Sequence, residues 1–423
     1  MRILVLGSGA REHAIILALR SEEESHAIFA APGNAGIARE AHLVDVDPMD
    51  PTAVLTFAKN EAIDLVVVGP EAPLVAGVAD PLRAHGIPVF GPGKAAAQLE
   101  GSKTYAKRIM DAAGVPTGGS VRAHDTAAVE AALDRFGAPY VVKADGLAAG
   151  KGVIVTSDRA AALAHAESYL PSGAVLIEEF LSGPEVSLFF LSDGDHVAPL
   201  SPAQDFKRLR DGDDGPNTGG MGAYSPLPWL DERFGREAEF VNQVTREIAE
   251  PVIRQMDAEG TPFIGLLYAG LILTEQGIKV IEFNARFGDP ETQVVLPRLI
   301  DPLSGLLLAA ASGTLEDHPR PAFAEAAAVT VVLASEGYPE APVTGRVLTG
   351  IDEAEEVDGV HLAHAATAAP DGHFLATGGR VLSVVALGST FREARAAAYA
   401  GLELIGLEGG QYRSDIALRV VED

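Results

Sequence analysis

Glu282, Asn284 and Arg286 alternate in the segment Ile281-Glu282-Phe283-Asn284-Ala285-Arg286. A β-strand converts such alternation into a shared face. The three polar side chains are therefore expected to project together, with Ile281 and Phe283 turned to the core. A carboxylate beside an amide oxygen supplies two hard donors, suited to Mg²⁺ that keeps nucleotide phosphates and water. A neighbouring guanidinium can grip a phosphoryl oxygen or a carboxylate through two parallel N–H groups. The bland alternative is a solvated edge strand; the glycine and acids of Gly288-Asp289-Pro290-Glu291 speak for a site.

A second segment, Val141-Val142-Lys143-Ala144-Asp145-Gly146, is an apolar strand ending on a lysine. It runs into Leu147-Ala148-Ala149-Gly150-Lys151-Gly152, a small-residue loop holding another lysine between glycines. Small residues let backbone N–H groups approach phosphate oxygens closely. The loop is not a Walker P-loop, because Gly-x₄-Gly-Lys-Ser/Thr and its helix are missing. Residues 148–152 are the candidate lid that would keep water from a reactive intermediate. A weaker signal is Ile177-Glu178-Glu179-Phe180-Leu181 followed by Glu185. A strand end there can offer backbone N–H and C=O to adenine and a carboxylate to ribose.

These segments need elements to hold them. Ile3–Leu6 and Leu65–Val68 are continuous apolar runs, the mark of parallel strands covered on both faces. Glycine loops follow them (Gly7-Ser8-Gly9 and Gly69-Pro70-Glu71), and a third, Gly91-Pro92-Gly93, follows Pro88–Phe90. Ligands of such a sheet sit beyond the carboxyl ends of its strands. Next come a helix (104–113), strands at 140–143, 152–156, 174–179 and 185–191, and helical patterns near 125–136 and 158–168. The stretch 204–222 has no hydrophobic period and reads as a long functional loop. A helix over 231–259 precedes paired strands at 264–274 and 278–283, then helices around 290–312. The last block mixes strands (327–333, 381–387) with an amphipathic helix (390–405).

Composition narrows the classes. The chain has 423 residues, 47% hydrophobic and 22% charged, which implies several globular domains. With 59 acidic against 32 basic residues its formal charge is −27, so nucleic acid and anionic membranes are not expected partners. Anionic substrates must then be met by a few local cations. Cysteine is absent, which excludes disulfides and thiolate metal sites and points to a reducing compartment. No apolar run approaches the roughly 18 residues that span a bilayer. Nothing calls for a second copy. A cytoplasmic monomer is expected.

Taken in order, the lysine-ended strand, the glycine loop, the acidic hinge strand and the distal Glu-x-Asn strand match the ATP-grasp superfamily. The resemblance tightens with Pro32-Gly33-Asn34-Ala35-Gly36, Gly69-Pro70-Glu71-Ala72-Pro73-Leu74-Val75 and Gln98-Leu99-Glu100-Gly101-Ser102-Lys103. Gly215-Pro216-Asn217-Thr218-Gly219-Gly220-Met221-Gly222 and the turn Thr377-Gly378-Gly379-Arg380 extend it. The chain resembles the glycinamide ribonucleotide synthetases over essentially its whole length. That resemblance implies an α/β and α+β multidomain fold. An N-terminal open parallel α/β sheet (1–102) would precede an ATP-grasp pair of α+β subdomains (103–325, lid subdomain about 120–190) and a small mixed C-terminal domain (326–423).

It also implies roles. Glu282 and Asn284 match the family's metal ligands, for Mg²⁺ or Mn²⁺. Lys103 and Lys143 match its phosphate lysines, with Gly150, Lys151 and Gly152 in the covering loop. Glu178, Phe180, Leu181 and Glu185 lie where adenine and ribose are held. Arg286 would steady the transferring phosphoryl group, making it and Lys143 the catalytic pair. Gly9, Arg11, Gly33, Asn34 and Gly36 would face 5-phosphoribosylamine. Asp205, Lys207, Gly220, Arg286 and Asp289 would border the substrates near the acyl site. The implied reaction spends ATP to couple glycine to that amine. Many superfamily members carry another acid on the strand before Glu-x-Asn; 266–274 has none, so a leaner metal site is expected.

The rivals are weaker. A nicotinamide oxidoreductase would want Gly or Ala at the sixth position of its fingerprint, where this chain has Glu12. A nucleotide-binding scaffold has no need of the Glu282/Asn284/Arg286 set. Another ATP-grasp ligase with a different acid or amine stays open as the runner-up.

Overall fold

A computed structural model of the chain describes residues 1–147 and 152–422. The N-terminal sheet has five parallel strands, ordered His42–Leu43, Ala27–Pro32, Arg2–Gly7, Leu65–Val68 and Val89–Phe90. Ile3 to Leu6 and Leu65 to Val68 are sealed on both faces, as their unbroken apolar runs require. Chain order reverses between Arg2–Gly7 and Leu65–Val68, and the cleft of such a sheet opens at that switch.

Glu12, at the start of the helix Ala10–Arg20, fills the space between the two glycine loops. Its carboxylate accepts from the Gly9 N–H at 2.6 Å, and any Cβ at Gly69 would overlap it. That carboxylate occupies the place where a dinucleotide fingerprint needs close helix packing, which disposes of the nicotinamide reading on steric grounds.

Two antiparallel sheets follow. Ser120–Ala123, Val175–Glu178, Tyr140–Ala144 and Val153–Thr156 form one, roofed by the helices Thr126–Phe136 and Arg159–Tyr169 around a small core of its own. The other runs Val197–Pro199, Glu185–Asp193, Ile264–Thr274, Gly277–Asn284. A last sheet joins Gln204–Asp205 and Gly222–Ser225 to Ala327–Ala334, Arg380–Gly388 and Val360–His364, with the helix Phe391–Leu404 packed on it.

Two expectations need correction. The stretch 204–222 is not structureless: Arg208–Arg210 pairs with Asp214–Asn217, and both ends add strands to the last sheet. Buried Arg413 staples it, donating to Arg208 O at 3.2 Å and pairing with Asp213 and Asp415 at 2.8 and 2.7 Å. The helix over 231–259 is broken. Gly235 at φ +76° separates Trp229–Phe234 from Glu237–Val244, and a π turn (Thr245–Ala249) precedes Glu250–Ala258. The helices expected around 290–312 are present as Thr292–Val295, a 3₁₀ turn Leu296–Arg298, and Leu303–Ser312.

Candidate functional site

The site gathers where the two antiparallel sheets meet, Lys143 of the first donating to Ile281 O of the second at 3.4 Å. On Gly277–Asn284 the apolar side chains do not simply alternate. A β-bulge sets Glu282 opposite Gly270 but Val280 opposite Leu271, leaving Ile281 as the extra residue. A bulge changes which face the following side chains address. Val280 and Phe283 both reach the core, while Glu282 and Asn284 share the other face and hydrogen-bond to each other. Without the bulge, Glu282 would share the face of Ile278 and Val280.

Lysines surround that carboxylate. Burial opposes the charge on Glu282, but Lys143, Lys207 and Lys103 outweigh it and hold the carboxyl below its ordinary range. Lys143 is buried and lies 2.8 Å from Glu178, whose other oxygen is 3.4 Å from Lys107. Burial pulls against the ammonium of Lys143, yet Glu178 and Glu282 carry its pKa above the usual value. Lys103 donates to Gly146 O at 3.0 Å, and desolvation lowers its pKa. Lys107 escaped the sequence reading, although its signal is plain: it stands one turn after Lys103 on the helix Lys103–Ala113 and shares its face.

The residues fit a hard divalent cation. Glu282 is ionised and Asn284 adds an amide oxygen, while among the described residues no three His, Cys, Asp or Glu side chains converge on one point. Phosphate oxygens and water would have to supply most of the coordination.

The hinge strand gives Glu178 a different job from the one expected. Its carboxylate is spent on Lys107 and Lys143, whereas Phe180 beyond it is exposed, Leu181 half-buried, and Glu185 ion-paired with Lys207. Asp205 lies 3.8 Å from Lys207. Burial pushes its pKa up to about 7, with Lys207 opposing and Glu291 and Glu185 adding. Behind it, Ser187 and Tyr268 both donate to Glu291, at 2.9 and 2.7 Å.

Arg286 breaks the expected stripe. It lies beyond the end of the strand, 3.0 Å from Glu100 and 3.4 Å from Glu71. The two carboxylates stand on the short helices Glu71–Ala76 and Gln98–Gly101, and neither had been given a role. Burial raises the pKa of Glu100 even with Arg286 beside it; Arg286 Nε is buried and is the atom that faces Glu71.

The N-terminal loops close the far side. Arg11 pairs with Glu12 at 2.6 Å and donates to Phe287 O at 3.2 Å, tying helix Ala10–Arg20 to the segment after Glu-x-Asn. Asn34 does not present its amide to a substrate. It donates to Ser8 O, His364 O and Ala365 O at 2.8, 2.7 and 3.2 Å and accepts from Ile37 N–H, so it shapes the Gly33 and Gly36 loop. Asp289, near Gly9, pairs with Arg380. Gly152 accepts from Ala144 N–H at 2.7 Å. Gly150 and Lys151, with most of the lid loop, lie outside the described residues.

Two buried histidines join the helix Ala10–Arg20 to the strand Val360–His364. His13 Nδ1 accepts from the His364 N–H at 2.8 Å. Desolvation, reinforced by neighbouring groups, lowers His13 to about 3 and His364 to about 4. Both are neutral in the fold and charge on unfolding below about pH 6.5, so stability is full above that pH and falls as acid is added. One pH unit below, each costs about 1.4 kcal/mol. Urea unfolding should show about 3 kcal/mol less stability at pH 5.5 than at pH 7.5 from this pair, and a His13→Gln/His364→Gln variant should lose that difference.

With this geometry established, the likenesses to known proteins are specific. Models described as the phosphoribosylglycinamide synthetase N domain, ATP-grasp (A) domain and C domain match residues 1–100, 101–292 and 328–419. A phosphoribosylamine–glycine ligase of Leifsonia xyli subsp. xyli is 67% identical over 422 residues, covering 99% of this chain and 100% of that protein. The protein of the same name from Streptomyces coelicolor is 56% identical over 421 residues, 99% of each. A crystal structure of phosphoribosylamine–glycine ligase from Thermotoga maritima superposes with a TM-score of 0.80 at 33% identity, covering 98% of this chain and 100% of that one.

Proposed function

The chain belongs to the phosphoribosylglycinamide synthetase family, and on that premise we propose that it is an ATP-dependent ligase joining glycine to 5-phospho-D-ribosylamine in purine biosynthesis. The chemistry follows from what a carboxylate lacks. Glycine's carboxylate is a poor acyl donor because oxide is a poor leaving group. A carboxylate oxygen attacks the γ-phosphorus of ATP; the new oxygen–phosphorus bond forms as the bond to the β–γ bridging oxygen breaks, releasing ADP and giving glycyl phosphate. The amine nitrogen then attacks the carbonyl carbon, phosphate leaves, the nitrogen gives up a proton, and glycinamide ribonucleotide remains.

The observation that carries this reading is an ionised Glu282 ringed by Lys103, Lys143 and Lys207 in a chain matched end to end by one family. Lys103 and Lys143 serve the nucleotide phosphates. Phe180, Leu181 and Glu185 flank the adenosine, and Glu178 sets Lys143 in place. Glu282 and Asn284 hold Mg²⁺ or Mn²⁺, which when bound offsets phosphate charge. Arg286 meets the phosphoryl group. Such catalysis is positioning and charge stabilisation. Residues 1–102 carry the amine's loops, 103–325 the nucleotide and 326–423 a wall of the amine site. Among the described residues no helix is long and apolar enough to cross a membrane; with small-molecule substrates and no cysteine, a cytoplasmic monomer is the accompanying reading.

ADP release from Mg-ATP tests it, with glycine alone and with glycine plus phosphoribosylamine formed in situ from ribose 5-phosphate and ammonia. Release should need both and match glycinamide ribonucleotide in amount. Release with glycine alone at the full rate would return the amine to the unknown.

A further inference from the structure

The turn Thr377-Gly378-Gly379-Arg380 carries a guanidinium into the site from the C-terminal sheet. Arg380 opens the strand Arg380–Gly388, where a bulge opposite Leu333 and Ala334 leaves Val381 as the extra residue. Its NH1 donates to Gly219 O at 2.6 Å and to Asp289 O at 3.0 Å, while NH2 lies 3.0 Å from the Asp289 carboxylate. The Gly219 N–H donates in turn to the Tyr338 hydroxyl at 3.0 Å. Gly220, at φ +109°, sits so close against Pro290 that a Cβ would overlap the ring. One side chain thus fastens together the turn at 218–220 and the segment after Glu-x-Asn.

The fastened carboxylate faces the amine's side of the cleft. Asp289 Oδ2 is 3.9 Å from the place a Cβ on Gly9 would take, at the head of the helix Ala10–Arg20. The nucleotide lysines Lys103 and Lys143 stand on other elements, the helix Lys103–Ala113 and the strand Tyr140–Ala144, where Glu178 pairs with Lys143 and with Lys107.

We infer that Arg380 is a positioning residue for the phosphorylated amine: it neutralises Asp289 and pins the turn at 218–220, so that the C-terminal region builds one wall of the amine site. The inference rests on the reaction proposed above. Removing Arg380 leaves an unneutralised carboxylate beside a substrate that carries a phosphate, and like charges at short range repel. The loss therefore falls on the amine and spares ATP.

Steady-state kinetics of the full chain test it, varying ribose 5-phosphate at fixed ammonia, and ATP separately. Arg380→Ala should raise the apparent KM for the amine at least tenfold and leave KM for ATP within twofold. Arg380→Lys, which restores the charge but not the two-pronged grip on carbonyls, should recover part of that loss; it also serves if the alanine variant folds poorly. An unchanged amine KM in both variants, or an ATP KM that rises in step with it, overturns the proposal. Wild-type turnover that ignores the amine would instead overturn the reaction itself, and the proposal with it.

Discussion

Glu282→Gln should lower turnover by about three orders of magnitude, roughly 4 kcal/mol in the barrier, while the protein stays folded. The amide is isosteric and can still hydrogen-bond to Asn284, so the bulged strand has no reason to move. What disappears is one negative charge at the centre of three ammonium groups. The metal loses its charged ligand, and among the described residues no third His, Cys, Asp or Glu converges there to take its place. Raising Mg²⁺ should therefore recover only part of the rate, since a neutral amide oxygen binds a hard cation far less well than a carboxylate. The measurement is ADP release across a metal titration, beside a thermal melt that keeps one cooperative transition at a lower midpoint, since Lys143 loses one of its two carboxylate partners. A loss of less than tenfold would place the metal elsewhere.

That prediction was open to a reader of the sequence alone, and the reasons are physical. Glu-x-Asn on an apolar strand, a lysine ending another strand and glycine loops after parallel strands are local patterns, and local patterns survive without coordinates. Lys107 was legible too, through its spacing from Lys103, and was overlooked. The bulge was not legible. Ile278, Val280 and Phe283 do not keep a period of two, and only the pairing with Gly270 and Leu271 reveals why both Val280 and Phe283 are buried. Asn34 was misjudged for a related reason. Its amide is committed to carbonyls more than 300 residues away, at His364 and Ala365. The broken helix near Gly235 shows the converse, in which a left-handed glycine inside a helical pattern marked the break.

Arg286 joins both kinds of information, and its substitution should separate them. Arg286→Ala removes the phosphoryl donor, so turnover should fall at least a hundredfold while ATP affinity changes little. It also strips Glu100 of its cation. Glu100 is buried, its pKa already stands above the ordinary carboxyl value, and Glu71 lies near enough to repel it. Breaking a buried pair from one side costs about 3–5 kcal/mol, because the remaining charge has no partner. The alanine variant should therefore unfold at lower urea as well as turn over slowly. Adding Glu100→Gln separates the two effects. The uncharged amide no longer needs a cation, so the double variant should regain much of the stability, an interaction energy that a double-mutant cycle measures directly. It should regain none of the rate, since the donor that meets the phosphoryl group is still missing. If rate and stability return together, Arg286 acts by holding the N-terminal loops in place and has no part in the chemistry. If ATP affinity falls as far as turnover in the single variant, its contact is with the bound nucleotide in the ground state rather than with the group in flight.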